Sequence, residues 1–344
     1  MPFSSGVMPS NSAQLAEYEA ITRRAFVPTV YVQIYQASPT IAALMQHAKT
    51  ATGGISSVTV PVQGQAMTIP QWSGFDGSFA QPANIQGIQP AEFNLKALVT
   101  PIPFYGFEAA IQADHAIIPR IEAVFNDATN STVDTISNAL YTNVTNSQQL
   151  IGFNGCFDDG TNASTYGNIN RSASPFWQSK VYSVSASAKP TRASLMQYSM
   201  GAQKYGSEMP TCGVMGLATW MTLVSNDYAG LESYQILPGT GFDTDADRPR
   251  SLFRALDIAG IPFYADPYCP EGVAYIWNSR YTQLYFHRMA NFSFTGFESM
   301  LPVYQIGFIG GLVSLFELVC AKPNTAVRVG TVGNTGTQFG YNSL

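Results

Sequence analysis

Pro119-Arg-Ile-Glu-Ala-Val-Phe-Asn-Asp-Ala-Thr-Asn-Ser-Thr-Val-Asp-Thr-Ile-Ser-Asn-Ala-Leu-Tyr-Thr-Asn-Val144 is the only long segment of the chain whose apolar residues keep a helical period without a breaker. Ile121, Val124, Phe125, Ala128, Ile136 and Ala139 share one face, with Thr132 and Thr135 as its weaker members, and Asp127, Asn130, Asp134 and Asn138 lie opposite. The spacing predicts one amphipathic helix of about 39 Å, at about 1.5 Å per residue. Pro119 suits the first turn, where its missing N–H costs nothing, and Glu122 favours the positive helix end. A lone long helix in a chain otherwise rich in Gly, Pro and strand signals reads as a structural brace.

Before this helix the period is two. Val58, Val60 and Val62 alternate with Thr59, Pro61 and Gln63, and a matching run returns at Phe93, Leu95, Ala97 and Val99. Between them lies an irregular stretch carrying Trp72, Phe75 and Phe79 among glycines and prolines. Residues 55–104 therefore read as a long two-stranded excursion, which is marginal alone in water and needs a surface to lie on. The competing reading is an ordinary hairpin folded onto its own domain, with Trp72 and Phe75 in the core. Residues 1–54 read as an arm: a helix over Asn11–Phe26, an extended stretch, then a short helix through Ile41, Leu44, Met45 and Ala48 that Gly53-Gly54 ends.

After the helix, residues 150–179 are loop-rich. An α/β region follows, with Thr191 capping a helix that carries Leu195, Tyr198, Ala202 and Tyr205, a strand over Gly213–Met215, and a helix over Ala218–Val224. Gly230–Pro249 is a Gly/Asp-rich loop. Ile258–Tyr264, Val273–Asn278, Gln283–His287 and Gly311–Cys320 are strand candidates, closed by Pro323.

Composition narrows the function classes. Only 11% of the 344 residues are charged and the net charge is −5, against about a quarter charged in typical soluble domains. Much of the surface is therefore uncharged or buried against other chains. An acidic balance without a Lys/Arg run argues against a sequence-reading nucleic-acid binder. No basic patch followed by an apolar core opens the chain, so export by a cleaved leader is not expected. The most apolar stretch, Ile306–Ala321, is short for a membrane span and contains Glu317. Cys156, Cys212, Cys269 and Cys320 have no metal-knuckle or redox spacing and read as core thiols in a reducing compartment.

No chemistry assembles from the motifs. Asp243, Asp245 and Asp247 have calcium-loop spacing, but Arg248 stands where the turn glycine belongs and Arg254 where the bidentate Glu belongs. His47, His115 and His287 are scattered, Gly239-Thr240-Gly241 lacks the context of a dinucleotide loop, and no nucleophile elbow occurs. Asp158 and Asp159 read as solvated loop charges. No catalytic residues, metal or cofactor are expected.

The order of elements, with Ile151-Gly152-Phe153, Tyr166-Gly167-Asn168-Ile169-Asn170-Arg171-Ser172, Pro175-Phe176-Trp177-Gln178 and Asp266-Pro267 through Asn278, resembles the major capsid proteins of tailed bacteriophages with the Hong Kong 97-type fold. Phe153 and Asn168 depart from that family's Leu and Gly. The resemblance implies an α+β fold with an N-terminal arm (1–54), an extended E-loop hairpin (55–104), a spine-helix peripheral domain (105–149 and 271–330), an axial domain (150–270) and a C-terminal tail (331–344). It implies hexamers and pentamers of the chain closing into an icosahedral shell around double-stranded DNA, a virion location, and assembly in the host cytoplasm. A separate scaffolding protein, a portal and a decoration protein are the implied partners, with no membrane. Trp72, Phe75 and Phe79 would meet a neighbouring subunit, and Asp243, Asp245 and Asp247 would lie in the loop near the capsomer axis. Lys96, the only lysine of the excursion, sits away from its tip, so the cross-linking chemistry of one branch is not carried over. An encapsulin-like nanocompartment shell shares the fold; a β-rich surface adhesin is the alternative from another class, and a hydrolase comes last.

Overall fold

The computed structural model describes residues 38–51, 56–64, 72, 75, 87–105, 117–142, 148–183, 191–206, 208–227, 255–300 and 307–330. In chain order, α1 (Pro39–Met45) leads into β1 (Lys49–Ala51), followed by β2 (Ser57–Gln63), β3 (Ile88–Asn94), β4 (Lys96–Tyr105) and the long α2 (Ile117–Tyr141). Next come α3 (Phe153–Cys156), the two-residue strands β5 (Thr165–Tyr166) and β6 (Ile169–Asn170), β7 (Lys180–Tyr182), α4 (Arg192–Gly206), β8 (Cys212–Gly216) and α5 (Leu217–Asp227). The described residues end in β9 (Ala255–Ile258), β10 (Ile261–Asp266), β11 (Ala274–Trp277), β12 (Thr282–His287), β13 (Ser293–Phe294), β14 (Glu298–Ser299), β15 (Gly307–Cys320) and β16 (Val327–Val329).

Two six-stranded sheets carry the fold. In the first, β15 is the axis: β4 pairs along one edge from Gly307↔Tyr105 to Phe316↔Lys96, and β14, β13 and β12 share the other, with β1 parallel to β12. The second runs β7-β16-β11-β8-β10-β9. Hydrogen bonding does not follow the division expected at residue 270, because β11 and β16 pair into the second sheet while β12 and β15 return to the first. The two crossings lie side by side, tied by Ala321 N–H donating to the Tyr281 carbonyl at 2.9 Å.

The long helix bridges the sheets, the role its pattern suggested. Near its start Phe125 meets Phe294 of β13 at 5.8 Å between ring centroids, and Thr132 shares a 2.8 Å hydroxyl contact with Thr100 of β4. Its last residue, Tyr141, packs on Phe153 and on Tyr275 of β11. Phe125, Ala128, Ile136 and Ala139 are buried as expected, while Asp127, Asn130 and Asp134 are exposed. Thr135, placed in the apolar stripe from its spacing, is instead exposed, and the stripe gains Thr129, Val133 and Leu140. The buried threonines return their hydroxyls to the helix's own carbonyls, Thr129 to Phe125 and Thr132 to Ala128, each at 2.7 Å. Their polar groups thus enter the core already satisfied.

Two other strand readings change. Ile258–Tyr264 is a hairpin rather than one strand: Ala259 and Gly260 both have positive φ, 57° and 81°, a two-residue turn that joins β9 to β10. The run Phe93, Leu95, Ala97, Val99 is broken at Leu95, where the chain leaves β2 and takes β15 as its partner. The two-stranded ribbon is therefore β2–β3, and β4 belongs to the first sheet. α4 and α5 cover one face of the second sheet through Leu195, Ala202 and Leu223. The other face joins the main core, where Phe153 lies 5.1 Å from Phe157 and from Trp277. The arm before residue 38, Val144 and the segment from 331 lie outside the described residues.

Candidate assembly surfaces and the tethers behind them

The paired part of the ribbon is held by its own chain at both ends, near Phe93 at the base and at Gly64 where the tip begins. Gly64 sits against the Phe176 ring so closely that a Cβ there would fall 2.2 Å from it. On β3, Glu92 N–H donates to the Gly167 carbonyl at 3.1 Å, Asn168 Nδ2 donates to the Glu92 carboxylate at 3.2 Å, and Phe93 packs on Tyr166 at 4.9 Å. Farther out, Trp72 and Phe75 are fully exposed, at 105% and 115% of the reference areas. This overturns the reading of those two aromatics as the core of an ordinary hairpin. Phe79, Asp243, Asp245 and Asp247 lie outside the described residues.

The receiving surface is the loop-rich segment, and its sequence motif acquires a physical reason. Gly167 and Asn168 form the β5–β6 turn with φ of 57° and 62°, the left-handed pair a two-residue hairpin requires. Asn replaces Gly here at a conformation Asn tolerates. Gly167 must lack a side chain, since a Cβ would lie 2.7 Å from the Phe93 ring. Trp177 Nε1 donates to the Tyr166 carbonyl at 2.8 Å, closing the loop. Asp158, expected to be a solvated charge, is instead buried, because the loop wraps around it: Gly160, Asn162 and Ala163 donate their backbone N–H groups to Oδ2. Arg171, also buried, lies 3.7 Å from that carboxylate. It donates to the carbonyls of Ala163, Gly155 and Cys156 and stacks 4.8 Å over Tyr166. Asp159 remains partly exposed.

A second tether was invisible in the sequence. Asp266, at the end of β10 and fully buried, accepts hydrogen bonds at Oδ2 from Ser38, Thr40 and the Tyr141 hydroxyl, and at Oδ1 from Tyr268 N–H. One carboxylate thus joins the start of α1, the end of the long helix and the second sheet. Burial, with the nearby Asp266 charge, raises the Tyr141 phenol, so its hydroxyl stays a donor. Glu271 plays a related part at the start of α5, accepting from Ala218 N–H at 2.9 Å and Thr219 N–H at 3.0 Å. A carboxylate there meets the positive end of the helix.

Glu317 on β15 is buried with one oxygen satisfied by Ile151 and Leu318 N–H and the other without a partner. Burial pushes it from 4.5 up to about 8, against the pull of those two N–H groups and Lys96. All four cysteines are free and buried, as expected. Burial raises the Cys212 thiol to about 12 and the Cys320 thiol to about 11, which holds them protonated. Among the described residues no group of His, Cys, Asp and Glu could hold a metal ion. No helix among them is long and apolar enough to cross a membrane.

No protein-family model and no curated protein matches the chain. Solved structures do. The chain is similar to a subunit in the capsid asymmetric unit of cyanophage A-1(L), with a TM-score of 0.60 at 13% identity, over 86% of this chain and 92% of that one. It is also similar to the capsid of a native GTA particle, with a TM-score of 0.54 at 10% identity over 85% of this chain and 90% of that one. For Mycobacterium phage Bobi the TM-score is 0.52 at 11% identity, over 85% and 91% of the two chains. Likeness over nearly the full length of both partners means that the match is to the whole architecture. The chain therefore has the α+β fold of phage capsid subunits, the Hong Kong 97-type fold that its sequence resembles.

Proposed function

We propose that this chain is a major capsid protein: a structural subunit that associates into hexamers and pentamers and closes an icosahedral shell around double-stranded DNA. The observation that carries the reading is a ribbon whose paired strands are held by their own chain yet which carries two fully exposed aromatics, Trp72 and Phe75, on a chain with the capsid fold. Such residues need a partner surface, and in a homopolymer every copy can supply one. Low charge, 11% of residues, leaves little electrostatic cost to association, and several modest contacts per subunit add up once some are in place.

Within this reading residues 1–54 are the arm, 55–95 the E-loop, 105–149 and 271–330 the peripheral domain, which also takes β4 (Lys96–Tyr105) from the expected excursion because that strand pairs with β15, 150–270 the axial domain and 331–344 the tail. The sheet pairing supports moving 274–277 and 327–329 to the axial side. Phe79 joins Trp72 and Phe75 at the neighbour contact, and Asp243, Asp245 and Asp247 lie near the capsomer axis. A separate scaffolding protein, a portal and a decoration protein complete the partners, in a particle assembled in the host cytoplasm. The acidic shell lies near the DNA without holding it tightly. The encapsulin-like and adhesin alternatives gain nothing from the neighbours described above.

Replacing Trp72 and Phe75 together with Ser tests this. The variant should keep the wild-type circular dichroism and Tm while losing shell formation. Wild-type shells from the variant, or an unfolded monomer, would contradict the assigned role of the tip.

A further inference from the structure

The buried carboxyl of Glu317 lies where α2, α3 and β15 converge, and only half of it is satisfied. Gly152, just before α3, packs so close to the end of α2 that a Cβ there would fall 2.4 Å from the Leu140 carbonyl oxygen. Its neighbour Ile151 donates its N–H to Glu317 Oε1 at 3.0 Å, and Leu318 N–H donates to the same oxygen at 3.1 Å. Shortly afterwards, at Ala321, the chain leaves the first sheet for β16 in the second. Oε2 is shut from solvent and bonds nothing. The charged and titratable groups around it show why. Lys96 of β4 stands across from Phe316, hence on the other face of the sheet, and its charge acts on Glu317 without a bond to Oε2. Tyr285 of β12 stands across from Glu317 itself, with Lys49 of β1 5.9 Å from its ring centre. On α3 the Cys156 thiol donates to the carbonyls of Ile151 and Leu318, at 3.5 and 3.9 Å, with Tyr166, Cys320 and Arg171 around it.

We propose that Glu317 is a proton-operated latch that holds the α2–α3 junction onto the first sheet. With a proton on Oε2 the carboxyl is neutral, Oε1 keeps both N–H bonds, and the one unmet group is a hydroxyl. Without the proton a half-satisfied charge sits in the core, which costs far more than an unpaired neutral group. The relief is for Ile151 and the residues before it to lift from β15 and admit water to Oε2. Residues 148–151 belong to no helix or strand, so they can lift without breaking a backbone ladder, as a local opening short of global unfolding. Burial holds Glu317 at about 8 in the closed form, and hydration in the open form returns it toward 4.5. The opening equilibrium therefore grows about tenfold per pH unit between those two values and levels off above the higher one. Because β15 crosses to the second sheet just beyond Glu317, the latch sets how firmly the end of α2 is joined to the place where the two sheets exchange strands. The inference stands independently of the shell-forming reading.

Amide hydrogen exchange of the purified full chain from about pH 5 to about pH 9, divided at each pH by the rate of the unstructured peptide, tests it. Protection of Ile151 and Leu318 should fall about tenfold per pH unit up to about 8 and then hold steady. A low concentration of urea should leave their exchange unchanged while accelerating that of the β11 amides, in the middle of the second sheet. In Glu317→Gln the protection of both amides should be flat with pH. Exchange of Ile151 and Leu318 with the same protection and urea dependence as β11 would make the response global and overturn the latch, as would a wild-type pH profile in Glu317→Gln. If that variant does not fold, the wild-type profile decides: a fall with pH that urea does not touch supports the latch, and protection independent of pH overturns it. Cys156 gives a separate readout, because its thiol spans Ile151 and Leu318 and all four native thiols are buried. At about pH 8, maleimide should label Cys156 several-fold faster in the wild type than in Glu317→Gln. Cys212, buried in the second sheet, should label equally in the two. Equal labelling of Cys156 in both chains would overturn the proposal.

Discussion

Asp158, Asp266 and Glu317 are all fully buried, and each meets the cost of burial differently. Asp158 has a guanidinium, three backbone N–H donors and the Asn162 side-chain amide, Asp266 has three hydroxyls and one N–H, and Glu317 has two N–H donors on one oxygen and nothing on the other. The difference is testable through pH. Burial raises Glu317 from 4.5 to about 8, so the folded chain holds this proton more tightly than the unfolded one. Its contribution to stability is complete below 4.5 and is lost as pH climbs to about 8. Glu317→Gln keeps an acceptor for both N–H groups and cannot ionise. Its Tm should gain on wild type as pH rises through that window and level off above it; a difference independent of pH would contradict the assignment. For Asp266, substitution by Ala strands the Ser38 hydroxyl and Tyr268 N–H and leaves Thr40 and Tyr141 with only their 2.5 Å contact to each other, so that one of those two hydroxyl protons also loses its acceptor. At about 1–3 kcal/mol per unsatisfied group, denaturant unfolding should show a loss of about 3 kcal/mol or more. A loss under about 1 kcal/mol, the net worth of one ordinary hydrogen bond, would mean that the tether carries little.

The β5–β6 hairpin shows how a two-residue element can control a larger one. Its turn places the Gly167 carbonyl against Glu92 N–H and its glycine face against Phe93, so the ribbon's base depends on a left-handed pair at Gly167 and Asn168. Asn168→Gly should be tolerated within a few tenths of a kcal/mol, whereas Asn168→Ala should cost about 1–2 kcal/mol for forcing a Cβ into that region. Equal stabilities of the two variants, measured by urea unfolding, would contradict the turn's role. The long helix was legible because a 25-residue amphipathic repeat carries its signal in every turn. The strands β5, β6, β13 and β14, each two residues long, have too few positions for a period to appear. The break at Leu95 was equally hidden, since both sides of it alternate and only the partner strand changes.

At the scale of the molecule, local pattern and long-range pairing divide the same way. Element order and the conspicuous Tyr166–Trp177 motif could be read along the chain. The tether at Asp266 could not, because Ser38 and Thr40 lie 228 and 226 residues away from it. Asp158 looked like a solvated charge for a local reason: the loop that buries it, with N–H donors two to five residues away, is built from Gly, Asn and Ala, which signal exposure. Trp72 and Phe75 were legible as a surface pair, while the half-satisfied carboxyl of Glu317 needed the fold to be seen. These features make a subunit braced internally by α2 and its buried carboxylates, and left with two unpartnered aromatics on its ribbon. The most direct test of that account is size-exclusion chromatography followed by negative-stain microscopy of the purified wild-type chain, alone and co-expressed with a scaffolding protein. Closed shells or capsomers are the predicted result; a persistent 37.2 kDa monomer under every condition would contradict it.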